Sequence, residues 1–305
     1  FSMKVLIAGG TGLIGQRLSE LLIQNNYEVV HLSREVVKNS LFTTFSWNVE
    51  QQKIDTKAFE NVDYVINLSG ENIASGRWTA KQKEKIINSR IDSNRLLKSA
   101  FVKTQFFPKK YISSAAKGYY GSSNIKEFNE HSAPENIGFL SKTCQKWEES
   151  IQEIQQIGVS TAWVRIGVVL SSKGGALKEM ISTAKYGLNL YFGNGKQFYS
   201  WVHIDDLCQI FLYLINNQEA AGVYNGCSPY SNTNFEIALA LSKAIGINSI
   251  LLPIPAFFLK LFLGEMSSIV LDSSKVVPQR LISENFRFEY ENIDIAINDI
   301  WKRKI

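Results

Sequence analysis

The 305-residue sequence holds only three cysteines, Cys144, Cys208 and Cys227. They lie far apart, without the close spacing of a metal site, and an odd count gives no framework of the kind that staples secreted domains; a reducing cytoplasm is the expected setting. Long apolar runs are also missing. The greasiest stretch, 250–263, is broken by Pro253, Pro255 and Lys260 and is too short to cross a bilayer. It reads as core, or as the subunit contact of a homodimer, rather than as a membrane-surface element. The first apolar run begins at Val5 and is cut short by glycines, unlike a secretory signal, so no membrane partner is expected. No basic stripe is present: 33 Lys and Arg are scattered among 28 Asp and Glu for a net charge of +5, which describes solvated surface and gives no footprint for nucleic acid. Internal repeats and low-complexity segments are absent. What remains is the composition of an ordinary globular protein, 45% hydrophobic and 20% charged, long enough for one large domain or a domain with a smaller companion.

The most informative stretch is Lys4 to Gly15. Four apolar residues, Val5 to Ala8, read as a buried parallel strand, and Gly9, Thr11, Gly12, Leu13, Ile14 and Gly15 follow as a tight turn into a helix. In a dinucleotide loop Gly9 would permit the turn, Gly12 would let a pyrophosphate approach the backbone, and Gly15 would let helix and strand pack closely. The helix N-terminus would supply N–H groups and a positive dipole. The alternative is an ordinary glycine-rich turn, but a strand before it and a helix over Leu13–Gln24 favour the nucleotide reading. A second strand, 28–32, ends in Ser33 and Arg34, where a nucleotide fold places its ribose reader. Arg34 can pair with a 2′-phosphate and favours NADP; Glu35 beside it keeps NAD as the alternative.

Further strands are expected at 42–47, 63–68, 109–113 and 160–170, with helices over 79–102 and 139–156 between them. The fourth strand runs into Leu68, Ser69 and Gly70, which would pass along the cofactor at the carboxyl end of a doubly wound sheet. Arg90 and Arg95 sit on the polar flank of the long helix, or face a substrate phosphate. The strand ending at Ser113 leads into Ser114 and then Tyr119 and Tyr120, hydroxyls and phenols that are candidates for acid–base work or for packing. Beyond Ser171 come a helix over 176–186, a turn at 193–197, a strand over 198–204, a helix over 207–215 capped by Asp205, a sheet strand at 222–226 and a last helix over 294–301. The expected architecture is an α/β Rossmann-type doubly wound parallel sheet over 3–170, completed by segments around 198–226, with a smaller C-terminal substrate lobe over 171–305.

These residues together resemble the atypical extended short-chain dehydrogenase/reductases, the nucleoside-diphosphate-sugar epimerase-like group within the NAD-dependent epimerase/dehydratase superfamily. The resemblance runs from Met3 to about Trp301. It rests on the glycine turn, on Asn67-Leu68-Ser69-Gly70-Glu71-Asn72-Ile73 with Gly76-Arg77-Trp78-Thr79, and on Ser89-Arg90-Ile91. Gly118-Tyr119-Tyr120-Gly121, Arg165-Ile166-Gly167-Val168-Val169-Leu170 and Ser200-Trp201-Val202-His203-Ile204-Asp205-Asp206-Leu207 complete the set. It implies a nicotinamide cofactor, usually NADP, touched also by Arg165 and Gly167, and a small-molecule substrate, such as a sugar nucleotide, met by Glu71, Arg77, Arg90, Gln197, Trp201 and His203. His203 is also readily explained as a half-buried structural histidine, the reading favoured over a catalytic role.

One family feature is missing. Extended members use a tyrosine four residues before a lysine, the lysine lowering the phenol's pKa so that it can exchange a proton with substrate. None of the twelve tyrosines has lysine at that spacing, and the helix that should carry the pair contains no tyrosine. Ala115 stands where the family's serine is usual. Two functions follow: an NADP-dependent epimerase or oxidoreductase using Tyr119 or Tyr120, with Ser114 standing in for the serine, or a catalytically silent NADP(H)-binding sensor or scaffold.

Overall fold

Apolar strands alternating with amphipathic helices can bury both faces of a parallel sheet, and the N-terminal half of the chain does so. The computed structural model describes residues 2–35, 41–246 and 249–303. Its first six strands are β1 (Lys4–Ala8), β2 (Glu28–Ser33), β3 (Thr43–Asn48), β4 (Lys53–Ile54), β5 (Tyr64–Asn67) and β6 (Lys110–Ala116). The eight-stranded sheet runs Gly222–Gly226, Thr161–Ile166, β6, β5, β1, β2, β3, β4. From β1 the chain steps outward through β2 and β3, then returns to pair β5 on the other side of β1, both pairings parallel. The order therefore reverses between β1 and β5, and a crevice at the carboxyl ends of these two strands is where such sheets bind ligands.

The helices follow their apolar spacing. Helix α1, Leu13–Gln24, buries Gly15, Leu18, Leu21 and Leu22. Helix α2, Ala80–Thr104, starts at Thr79, whose hydroxyl accepts from the Gln82 N–H, and buries Ile86, Leu96, Leu97 and Phe101. Helix α3 spans Phe139–Gln155.

Three expectations need correction. The strand at 63–68 is the fifth, because the short antiparallel partner Lys53–Ile54 precedes it. The run 160–170 is two strands, Thr161–Ile166 and Val168–Leu170. The backbone changes partner at Gly167: its N–H still bonds Gly226 O at 3.0 Å, while the next N–H, of Val168, bonds Ser200 O at 2.8 Å. Finally, the stretch 250–263 is not core. It forms the strand Ile250–Ile254 and the helix Ala256–Leu263, and only Leu259 of that helix is buried; Phe257 and Phe262 are each 69% exposed.

Contacts divide the chain into two discontinuous units. One holds the chain through Ala115 with Thr143–Val164 and Cys208–Val223; the other holds Ala116–Lys142, Arg165–Leu207 and everything from Tyr224 onward. The second unit has its own core, in which Leu177, Ile181, Trp201, Ile237, Leu241, Ala296 and Ile297 pack together. Among the described residues no helix is long and apolar enough to cross a membrane, and no cluster of His, Cys, Asp and Glu could hold a metal.

Candidate functional site

The glycine turn joins β1 to α1 in the first unit. Gly9 has φ +80°, a left-handed conformation that penalises a side chain, and its carbonyl accepts from the Gly12 N–H at 3.1 Å. A methyl group at Gly15 would come within 2.4 Å of Gly9 O, so that position is closed to anything larger by the close approach of helix and strand. Gly12 is the N-cap of α1 and has no side chain to cap it, and the helix has no acidic residue in its first turn. Its first N–H groups are therefore not satisfied by a side-chain cap and suit an anion. Thr11 and Gly12 are exposed, and Leu13 and Ile14 are half-buried. At the end of β2, Ser33 is half-buried and Arg34 exposed. A methyl group at Gly9 would meet Leu68 C at 2.9 Å, which places the segment after β5 directly against the turn. The donor set fits a dinucleotide: bare backbone N–H groups for a pyrophosphate, and Ser33 with Arg34 where the ribose would lie.

The sequence reading missed what holds that segment. Asn67 is buried at the end of β5; its amide donates to Ser93 Oγ at 3.0 Å and Asn94 Oδ1 at 2.9 Å. Its Oδ1 accepts from Ser69 N at 3.1 Å, and its carbonyl accepts from Ser114 Oγ at 3.1 Å. Asn94 in turn accepts from the Tyr111 hydroxyl and donates to Ser150 Oγ. A fully bonded buried network of this kind fixes the loop above it. The one sequence signal was an asparagine closing an otherwise apolar strand. Ser114 is committed to this network.

Glu71 and Arg90 lie beside the same segment. Glu71 pairs with Lys85 at 3.4 Å and accepts from Ser75 Oγ; burial works to raise its carboxyl, but these bonds outweigh it and hold it below the usual range. Arg90 donates to Ile86 O at 2.8 Å with its Cζ 5.0 Å from the Trp147 ring centroid, and burial pulls its pKa down. Arg77 is exposed ahead of α2, and Arg95 pairs with Glu153 at 2.9 Å, which assigns it to the polar flank.

In the second unit, Arg165 organises the tyrosines. Its Cζ lies 3.4 Å from the Tyr119 ring centroid, and its Nη1 donates to the Tyr120 hydroxyl at 2.9 Å. Tyr120 is fully buried and donates onward to Asn225 Oδ1 at 2.7 Å; burial pushes its phenol well up, against the pull of Arg165. Tyr120 is therefore held neutral. Lys117, not singled out from sequence, donates to Ser274 Oγ at 2.7 Å, and burial pushes its amine down to about 8.

The residues expected to line a substrate wall lie inside this unit. Trp201 is fully buried with its indole N–H on Asn232 Oδ1 at 2.9 Å, and Gln197 is buried with its amide shared between Phe192 O and Val270 O. His203 is fully buried and stacks on Tyr290 at 3.7 Å. It accepts from Asp205 N at Nδ1 and donates from Nε2 to Asp299, and burial pushes it down to about 4. All three have packing roles, as does Gly167, where a methyl group would sit 2.5 Å from Ser200 O.

Comparison with known proteins agrees with this frame. A family model described as NAD dependent epimerase/dehydratase family matches residues 5–227, and one described as domain of unknown function DUF1731 matches residues 254–300. The chain is 33% identical over 300 residues to the epimerase family protein YfhF of Bacillus subtilis, covering 98% of each. It is 32% identical over 299 residues to the epimerase family protein SAR0825 of Staphylococcus aureus, covering 97% of this chain and 98% of the other. Among solved structures, the human epimerase family protein SDR39U1 with NADPH superposes with TM-score 0.88 at 29% identity, covering 98% of this chain and 99% of that one. UDP-glucose 4-epimerase of Thermotoga maritima, at TM-score 0.80 and 17% identity over 99% of each chain, shares the fold. With a family match over most of its length on a sheet that reverses at a glycine turn, this chain belongs to the NAD dependent epimerase/dehydratase family.

Proposed function

We propose that the protein is an NADP-dependent epimerase or oxidoreductase acting on a small molecule, a sugar nucleotide being the family's implied class, through a site without the Tyr-x-x-x-Lys pair. The observation that carries it is the cradle at α1: a left-handed Gly9, a Gly15 pressed against Gly9 O, and helix N–H groups left uncapped by any side chain. Gly9, Thr11, Gly12, Leu13, Ile14 and Gly15 would hold the pyrophosphate, Ser33 and Arg34 the adenosine ribose, and Leu68, Ser69 and Gly70 the chain beyond. That the human relative was solved with NADPH supports the preference for a 2′-phosphate at Arg34. When bound, the nicotinamide supplies hydride transfer; the protein supplies orientation and the proton. With Tyr120 locked between Arg165 and Asn225, Tyr119 is the phenol left to exchange that proton.

A second reading, a silent NADP(H)-binding sensor, draws on one observation: α3 contains no tyrosine. Calorimetric titration with NADPH and NADH, for the wild type and Arg34→Ala, tests the ground common to both. NADPH should bind at least about tenfold tighter than NADH, and the preference should vanish in the variant, as expected for loss of a charge-assisted phosphate contact. Folded protein that binds neither nucleotide would overturn both readings.

A further inference from the structure

We infer that two consecutive elements of the second unit, the strand Ile250–Ile254 and the helix Ala256–Leu263, present an interface to a second copy of this chain. The helix is apolar on both sides. Leu259 is buried on one side, with Ala256 and Leu263 half-buried beside it. At about 100° per residue, Phe257, Phe258, Leu261 and Phe262 fall within about 140° of arc on the opposite side. They are 69%, 48%, 57% and 69% exposed. A helix that is apolar all round belongs in an interior, and this one holds three phenylalanines in the open.

The strand before it is exposed in the same way. It pairs in parallel with Leu188–Phe192, Leu188 standing opposite Ile250. Asn189, the next residue, turns to the other face, where it is buried and its amide donates to Ala238 O. Leu188, Ile250 and Leu252 therefore share the outward face, 46%, 62% and 41% exposed. Helix and strand together expose about 700 Å² of apolar side chain, since a whole aromatic side chain offers about 150–250 Å². The largest apolar patch of an ordinary monomer is about 300–600 Å², and each partner gives about 800 Å² to a standard interface. Two copies meeting through this surface would bury about 1,400 Å², within the range of a stable dimer.

The chemistry of the patch selects this occupant. Interface cores are rich in aromatic residues and poor in charge, as here. A membrane-surface helix carries Lys and Arg along its polar face, whereas 256–263 holds Lys260 alone. A peptide adding a strand is also disfavoured. Ile250 N–H bonds Gly187 O and Ile254 O accepts from Gly193 N–H, so the alternate residues Leu251 and Pro253 face the outer edge, and Pro253 has no N–H to give. Contact through side-chain faces remains, and a two-fold axis makes such a face complementary to itself.

Sedimentation velocity of the full chain at about 50 µM, where an interface of standard size is occupied, should show a dimer. The double variant Phe258→Glu, Phe262→Glu places charge on the exposed side of the helix and should raise the Kd of the dimer at least about a hundredfold, with the far-UV spectrum unchanged. Cross-linking covers the case of a variant that fails to fold. The native cysteines are all buried, so a bismaleimide should join two copies of Leu261→Cys and leave Ile125→Cys, fully exposed on another segment, largely monomeric. A wild type that is monomeric at this concentration would overturn the inference, as would a dimer undisturbed in the folded double variant or equal cross-linking at Leu261 and Ile125. A monomer that cosediments with vesicles of phosphatidylcholine and phosphatidylglycerol would also overturn it, by giving the face to lipid.

Discussion

Tyr120 donates to Asn225 Oδ1 at 2.7 Å and accepts from Arg165 at 2.9 Å, whereas among the described residues the neighbouring Tyr119 hydroxyl makes no hydrogen bond and its ring covers the Arg165 guanidinium. Removing one oxygen atom from each side chain should therefore have opposite consequences. Tyr120→Phe leaves a buried carbonyl oxygen and a guanidinium N–H without their partner, and should cost about 1–3 kcal/mol in urea denaturation. Tyr119→Phe removes an unbonded hydroxyl and should change stability by less than about 0.5 kcal/mol. In a turnover assay it should lower the rate about 10²–10⁴-fold if Tyr119 moves the proton. Equal stability losses would contradict this division of roles. From sequence the two tyrosines could not be told apart, because adjacency fixes only that they leave the backbone one residue apart. Which one is buried depends on Asn225 and Arg165, distant in the chain.

Among the elements, α1 was legible to the residue because a strand, a glycine turn and five apolar residues at helical spacing all agree on Leu13–Gln24. The break at Gly167 was not, since an apolar run has the same pattern whether its backbone keeps one partner or exchanges it. Nor were pairs as short as Phe198–Tyr199 with Asn232–Thr233, which have too few residues to show a period. Asp205 offers a sharper lesson. It was expected to cap a helix beginning at residue 207, but the helix starts at Ile204 and both aspartates lie in its first turn. Asp206 is the buried one, accepting from Glu289 N and Tyr290 N at 2.9 Å each, while the half-buried Asp205 pairs with the exposed Arg303. Asp206→Ala should therefore cost about 2–4 kcal/mol through two stranded backbone N–H groups, and Asp205→Ala no more than about 1 kcal/mol. Urea midpoints of the two variants separate these outcomes; a larger effect at Asp205 would mean that the cap reading was sound after all.

For the whole molecule, the doubly wound parallel sheet was readable because strand–helix alternation prunes the topologies to a few. Gln197, Trp201 and His203, which the family resemblance places against substrate, have side chains that the fold buries, a burial that polar and aromatic residue types do not announce in sequence. Burial of histidine gives the protein a measurable acid response. His31, bonded to Ser19 Oγ beneath the glycine turn, and His203 are each pushed by burial from the ordinary 6.5 down to about 4. Below pH 6.5 the unfolded chain takes up both protons and the folded chain does not, so their contribution is full above 6.5 and is lost as pH falls toward 4. Asp206 works the other way. Burial raises it from 3.8 to about 6, so the folded state binds its proton first and gains stability as pH falls through 6. The unfolded state is left with a net excess of about one proton, or about 1.4 kcal/mol of lost stability per pH unit. Unfolding free energy should thus decline between pH 6 and 5. In the double variant His31→Gln, His203→Gln the decline should disappear or reverse, whatever the variant's absolute stability, since of these three groups only Asp206 is left, and Asp272, also raised by burial, acts in the same direction. An unchanged slope would place the acid sensitivity elsewhere in the chain.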